Sequence, residues 1–333
     1  LKPSQLKSLL AKAIPAKAPV LIKGAPGIGK TDVVTQACQE AGANLIVSHP
    51  VVSDPIDFKG MPWVDGQTGQ AEFLPFGDLR ALIEADKDTV FFLDDLGQAP
   101  PTVQAAAMQL ILARRINGHK VSEHVCFIAA TNRKQDKAAV TGILEPVKSR
   151  FATIIELTPD LEDWVSWALR AGLPTELIAF IRFRPGLLHN FTPSADITNS
   201  PCPRTVANVG ALMGLGLTPD LEYEAYSGAA GEGFAAELMG FLQIFRKLPN
   251  PDSVLLNPET ADVPTDAATL YALTGALARK ASENTMDRIT RYSYRLPAEF
   301  SVLLIRDSVR NDGQVVNTRA FIEWSSKNAD VLI

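Results

Sequence analysis

Gly24-Ala25-Pro26-Gly27-Ile28-Gly29-Lys30-Thr31 follows a short apolar run, Val20-Leu21-Ile22, and precedes a helical pattern that stops at Gly42. The spacing fits G-x-x-x-x-G-K-S/T. Glycines let backbone N–H groups turn inward around phosphate oxygens, and the lysine reaches the β and γ phosphates. The hydroxyl after it ligates Mg²⁺, and the helix that begins there presents its positive end. The plain alternative is a glycine turn between a strand and a helix. The order strand, loop, helix favours the phosphate loop, so ATP and Mg²⁺ are the expected cofactors. Gly24, Ala25, Pro26, Gly27, Ile28, Gly29, Lys30, Thr31 and the adjoining Asp32 are the expected nucleotide contacts, with Thr31 also a metal ligand.

Outward from this loop, β-rich runs fall at 19–23, 44–48, 89–93, 125–130 and 153–157, with helical stretches at 30–41 and 103–113 between them. The runs are continuously apolar, as strands buried on both faces are, and their alternation with helices predicts parallel pairing. The expected class is α/β: a five-stranded parallel sheet flanked by helices, entered by a short amphipathic helix at the start. From about Asp160 the strand-like runs stop. Helical patterns follow at 161–171, 175–183 and 204–215, then a proline-rich stretch at 247–264 that reads as a linker. Further helices are expected at 267–283, 297–310 and 318–328. The expected organisation is a nucleotide-binding core over 1–158, a helical lid over 159–246 and a helical extension over 247–333.

Thr89-Val90-Phe91-Phe92-Leu93-Asp94-Asp95 is an apolar strand ending in two acids, the Walker B arrangement. Asp94 is expected in the Mg²⁺ shell, and Asp95 is expected to orient and deprotonate the attacking water. Val125-Cys126-Phe127-Ile128-Ala129-Ala130-Thr131-Asn132 is a second buried strand with a polar end. Ligand chemistry in α/β sheets gathers at the carboxyl ends of strands, so Asn132 is expected to position the water or the γ-phosphate. Alone it would be an ordinary turn residue. Arg150 precedes the last strand, and Arg204 follows Pro201-Cys202-Pro203 at a helix start. Either could be a plain surface arginine. In the functional reading Arg150 reaches a neighbouring subunit's nucleotide, and Arg204 points back to the γ-phosphate.

Together the loop, Asp94-Asp95, Asn132, Arg150-Phe151 and Pro203-Arg204 resemble an AAA+ ATPase over roughly residues 5–245, and within it the MoxR branch. Two insertions carry the finer resemblance. Residues 54–76 hold an Asp65-Gly66 turn between two β-like arms, similar to the helix-2 insert of that clade, followed by a helix at 77–86. Residues 115–121 hold an Asn117-Gly118 turn and resemble the pre-sensor-1 hairpin. The resemblance implies a hexameric ring with chaperone-like action on a protein client, such as one with a von Willebrand factor A domain. It also implies hairpins facing a central channel, with Trp63 exposed there. The other reading of Trp63 has it capping the hairpin against its own core.

Asp95 stands where most relatives carry Glu, and the stretch from Asp136-Lys137 onward departs from the family pattern. Two further functions stay open. One is a DNA-associated motor or loader using Lys59, Arg114, Arg115 and Lys120. The other is an ATP-binding switch with little hydrolysis.

Bulk properties agree with a globular protein. Among 333 residues, 46% are hydrophobic and 21% charged, so the chain is not compositionally disordered. A net charge of −5 disfavours a protein whose main task is coating nucleic acid. Cys38, Cys126 and Cys202 lie far apart in no metal pattern and are expected as buried apolar residues. His49, His119, His124 and His189 show no ligand spacing. No apolar stretch approaches the ~18 residues of a membrane span, and the start lacks the apolar core of a secretory signal. A cytoplasmic location is expected, which also suits unpaired thiols.

Overall fold

The computed structural model describes residues 1–67, 69–136, 142–193 and 196–329. The chain divides into two units, Leu1–Asp160 and Leu161–Ile333.

The first unit runs α1 (Pro3–Ala13), β1 (Val20–Lys23), α2 (Lys30–Ala41), β2 (Asn44–Ser48), α3 (Pro55–Lys59), β3 (Met61–Val64), β4 (Ala71–Leu74), α4 (Gly77–Glu84) and β5 (Thr89–Leu93). It continues through α5 (Pro101–Ala113), β6 (Arg115–Ile116), β7 (His119–Lys120), β8 (Val125–Thr131), α6 (Glu145–Lys148) and β9 (Thr153–Glu156). Five strands form one parallel sheet in the order β2-β5-β8-β1-β9. The expected α/β sheet is therefore present. Successive side chains of a strand point to opposite faces. Accordingly Leu21, Phe91, Leu93, Phe127 and Ala129 meet α4 and α5 on one side. Val20, Ile22, Val90, Phe92, Ile128 and Ala130 meet α1 and α2 on the other.

Burial on both faces holds for β1, β5 and β8 but not for β2 and β9, where Val47 and Ile154 are exposed. Those two strands are the sheet's edges, with a neighbour on one side only. Their apolar content reflects β propensity as much as burial.

Both insertions are hairpins. β3 pairs antiparallel with β4, and β6 with β7. The second turns on two residues, Asn117 at φ 48 and Gly118 at φ 86, which suit the right-handed twist of a two-residue hairpin. The first projects from α3, whose Phe58 is buried against Phe91 at 6.4 Å between ring centres. Its own strands are exposed on both faces. Thr68 in this hairpin's loop lies outside the described residues, as do Lys137 and the other residues of 137–141.

The second unit contains only helices among the described residues: α7 (Leu161–Arg170), α8 (Thr175–Phe183), α9 (Pro203–Met213), α10 (Pro219–Ala230), α11 (Glu232–Phe245), α12 (Pro251–Leu256), α13 (Ala267–Ala278), α14 (Met286–Ser293), α15 (Ala298–Asn311) and α16 (Arg319–Lys327), with short 3₁₀ turns. Residues 330–333, at the end of the expected extension, lie outside the described ones. The stretch 247–264 is not a plain linker, because it contains α12. Pro251 sits in the first turn, where its missing N–H costs nothing, and Asn250 caps the helix by accepting from the Asp252 N–H. The helix expected over 267–283 stops at Ala278. Thr285 accepts from the Ser282 N–H at 2.9 Å, a local turn that ends one helix and leads into the next.

α13 is apolar or small nearly all round, as a helix buried on several sides must be. Its Ala268 and Ala272 join the core built by α7 to α11, while Leu270, Leu273 and Leu277 join the core of α12 to α16. Helices from before and after residue 247 thus share packing through this one element.

Candidate functional site

Three adjacent strands assemble the site. Parallel pairing in the register Lys23↔Thr131 and Leu93↔Ala129 brings the carboxyl ends of β1, β8 and β5 side by side. The glycine-rich loop leaves the first, Asn132 follows the second, and Asp94-Asp95 follows the third. The loop closes on Gly29 at φ 87, a left-handed conformation that glycine adopts without a Cβ clash, and α2 starts immediately after it.

Lys30 is 7% exposed. Its ammonium donates to the carbonyls of Gly24 (3.2 Å) and Ala25 (2.9 Å) and to Asn132 Oδ1 (2.7 Å). Asn132 Nδ2 donates in turn to Asp95 Oδ1 at 3.2 Å. With the ammonium on one side and the carboxylate on the other, only this orientation of the Asn132 amide satisfies both. A cation, an amide and an anion are therefore in series across three strand ends. The Thr31 hydroxyl donates to Asp94 Oδ2 at 2.6 Å, and Asp94 Oδ1 accepts the Asp95 N–H at 3.1 Å, so both oxygens of the first acid are oriented.

Asp95 has φ 57 and ψ 33, the left-handed region that Asp tolerates better than most side chains. This reversal leads straight into the 3₁₀ turn Leu96–Gln98. Gln98, which sequence spacing did not single out, donates from Nε2 to the same Asp95 Oδ1 at 3.1 Å. A glutamine three residues after an acid carries no motif, so no sequence signal pointed to it. Gly97 allows the turn to press against β8: a Cβ there would meet Thr131 Oγ1 at 2.1 Å.

The remaining expected residues are distributed differently. Ala25, Gly27 and Ile28 are buried in the loop, with Pro26 half-buried, while Asp32 is exposed on the first turn of α2. Arg150 is half-buried in the turn between α6 and β9, and its Nε is buried without a hydrogen-bond partner among the described residues. It makes no bond to Lys30, Asp94, Asp95 or Asn132. Arg204 is exposed in the first turn of α9, in the second unit. Of the basic residues considered for DNA, Arg114 turns inward to the Ser122 carbonyl (2.6 Å) and Lys120 pairs with Glu123 (2.7 Å). Trp63 is 59% exposed, so it does not cap the hairpin against the core.

The donor set is suited to a polyphosphate and a hard divalent cation. A hydroxyl and a carboxylate supply oxygen ligands of the kind Mg²⁺ takes, and a buried ammonium stands beside the helix start that favours anions. No helix among the described residues is long and apolar enough to cross a membrane.

Residues 20–159 match the model of the "ATPase family associated with various cellular activities (AAA)". No curated protein matched the chain. Among solved structures the chain is similar to NtrX from Brucella abortus in complex with ADP, at 16% identity, covering 99% of this chain and 68% of that one with a TM-score of 0.42. It is also similar to the Thermotoga maritima RuvB Holliday junction branch migration motor, at 14% identity, covering 98% and 86% with a TM-score of 0.37.

Proposed function

Residues 20–159 carry a domain of the AAA ATPase family, and from that premise we propose that the chain binds ATP with Mg²⁺ and hydrolyses it. The observation that carries this reading is the series Lys30–Asn132–Asp95 beside the Thr31–Asp94 pair. Lys30 and the loop N–H groups bind the phosphates. Thr31 and Asp94 would hold Mg²⁺, which supplies positive charge against the phosphate oxygens. Asp95 takes a proton from the attacking water as its oxygen bonds to the γ-phosphorus. The bridging oxygen leaves with its electron pair on ADP. Asn132 touches both the phosphate-binding lysine and the water-activating acid, so it can report one to the other.

The finer reading is a ring of MoxR type, hexameric, acting on a protein client such as one with a von Willebrand factor A domain. Two features support it. Among the described residues the buried Arg150 Nε has no hydrogen-bond partner, as suits a guanidinium meant for the neighbouring subunit's nucleotide. The insert hairpin exposes Met61, Trp63 and Phe73, an apolar surface on which a client can dock.

Mixing two inactive variants tests the shared site. Lys30→Ala should lose nucleotide binding. Arg150→Ala should retain it and lose about 10³-fold or more in turnover. Combined with Asp95→Asn chains, Arg150→Ala chains should regain turnover, because a mixed interface unites an intact Asp95 with an intact Arg150. No recovery on mixing, with both variants assembled, rules out the trans arginine. Tight ATP binding with no phosphate release by the unaltered chain would instead identify a nucleotide-gated switch.

A further inference from the structure

Resting on the hydrolytic reading above, we propose that Gln98 is a positioning residue for water activation. With Asn132 it grips one oxygen of Asp95 and leaves the other to receive the proton.

The χ2 torsion of an aspartate is broad, so its two oxygens exchange places readily unless something distinguishes them. Here two amide donors converge on Oδ1, Gln98 Nε2 at 3.1 Å and Asn132 Nδ2 at 3.2 Å. A carboxylate oxygen offers about two lone-pair sites, which these donors fill. Among the described residues no donor reaches Oδ2, so that oxygen is left to act as the base. The arrangement matters more for Asp than for Glu, because the shorter side chain cannot find the water by reach and must find it by orientation.

Gln98 is itself held in place. Its backbone N–H donates to the Asp95 carbonyl at 2.9 Å, and the turn that carries it is pressed on Thr131 through the missing Cβ of Gly97. Among the described residues its own Oε1 is buried with no partner. Turning the amide over would set that carbonyl against the carboxylate, so the donor faces Asp95. A side chain that merely filled space would do better without the orphaned oxygen, since a buried acceptor left unpaired is unfavourable. The contact with Asp95 accounts for the amide.

The test compares Gln98→Met, similar in size but without a donor, with Gln98→His, which keeps an N–H. ATP affinity, kcat and KM are measured in both, and Gln98→Met is also placed in the Asp95→Asn background. Loss of one hydrogen bond to a charged group should lower kcat about 10- to 100-fold in Gln98→Met, with the ATP dissociation constant unchanged. Gln98→His should recover part of the loss. The residual turnover of Asp95→Asn should not fall further when Gln98→Met is added, because the effect passes through Asp95. Unaltered kcat in Gln98→Met overturns the proposal, as does a loss shared equally by affinity and Tm in both variants. Turnover by the unaltered chain with an indifferent Gln98→Met rejects the positioning role alone. No turnover by the unaltered chain rejects the hydrolytic reading and the positioning role with it.

Discussion

Cys38 and Cys126 occupy the core between the sheet and α1–α2. Burial pushes the thiol of Cys38 up to about 11 and that of Cys126 up to about 12, from an ordinary 9.0. Folding thus keeps both protonated over a pH range in which the unfolded chain ionises them. Their contribution to stability is fully present below about pH 9 and is lost as pH rises from there through 11 to 12. Denaturant midpoints of the first unit should fall steadily above pH 9, and Cys38→Ala/Cys126→Ala should flatten the fall. Iodoacetamide at pH 8 should label neither residue in the folded chain, and both rapidly once it is unfolded. The burial of these cysteines was legible from their spacing, and so was the gathering of Lys30, Thr31, Asp94, Asp95 and Asn132 at adjoining strand ends. Gln98 was not, because its partner is reached only after Asp95 turns into the left-handed region, and no local pattern specifies that turn.

Elements in this molecule are joined by side chains that reach across to backbone groups. Asn117 Nδ2 donates to the Lys59 carbonyl at 2.8 Å, and His119 Nε2 bonds to the Phe73 carbonyl at 2.6 Å. The tight turn of β6–β7 thereby clasps the base of the β3–β4 hairpin, whose strands have no core of their own. A two-stranded hairpin is marginal in isolation. Removing both contacts with Asn117→Ala/His119→Ala should speed amide exchange over 61–74 by about tenfold or more, at roughly 0.5–1.5 kcal/mol for each bond, with ATP affinity unchanged. Exchange that stays at the original rate would show the clasp to be idle. Both hairpins were legible from Asp65-Gly66 and Asn117-Gly118, since a turn's chemistry is local. Their attachment was not, because it joins residues 58 and 46 positions apart. α12 was hidden for a different reason: Pro251 breaks a helix from within but starts one from its first turn.

At the scale of the whole molecule, the second unit is tied together by charge as well as by apolar packing. Arg182 of α8 and Asp307 of α15 are 7% and 4% exposed and pair through the two terminal guanidinium nitrogens, one contact at 2.7 Å. Glu162 on α7 receives Arg306 and Arg310 from α15 at 3.1 Å each. Breaking a buried pair leaves one charge uncompensated, so Asp307→Leu, which strands the Arg182 guanidinium, should cost about 3–5 kcal/mol, while Arg182→Met/Asp307→Leu should cost much less. Chemical denaturation of the two variants decides it; equal losses would refute the pairing. By itself the sequence determined the glycine-rich strand–loop–helix, the parallel α/β class and the position of each polar strand end, because these depend on local periodicity and turn chemistry. Tertiary structure alone decided which strands became edges, which amides bond to Asp95, and how α13 entered two cores at once. Those outcomes are set by contacts between residues far apart in the chain, and burial assigns each such contact only when the whole unit has closed.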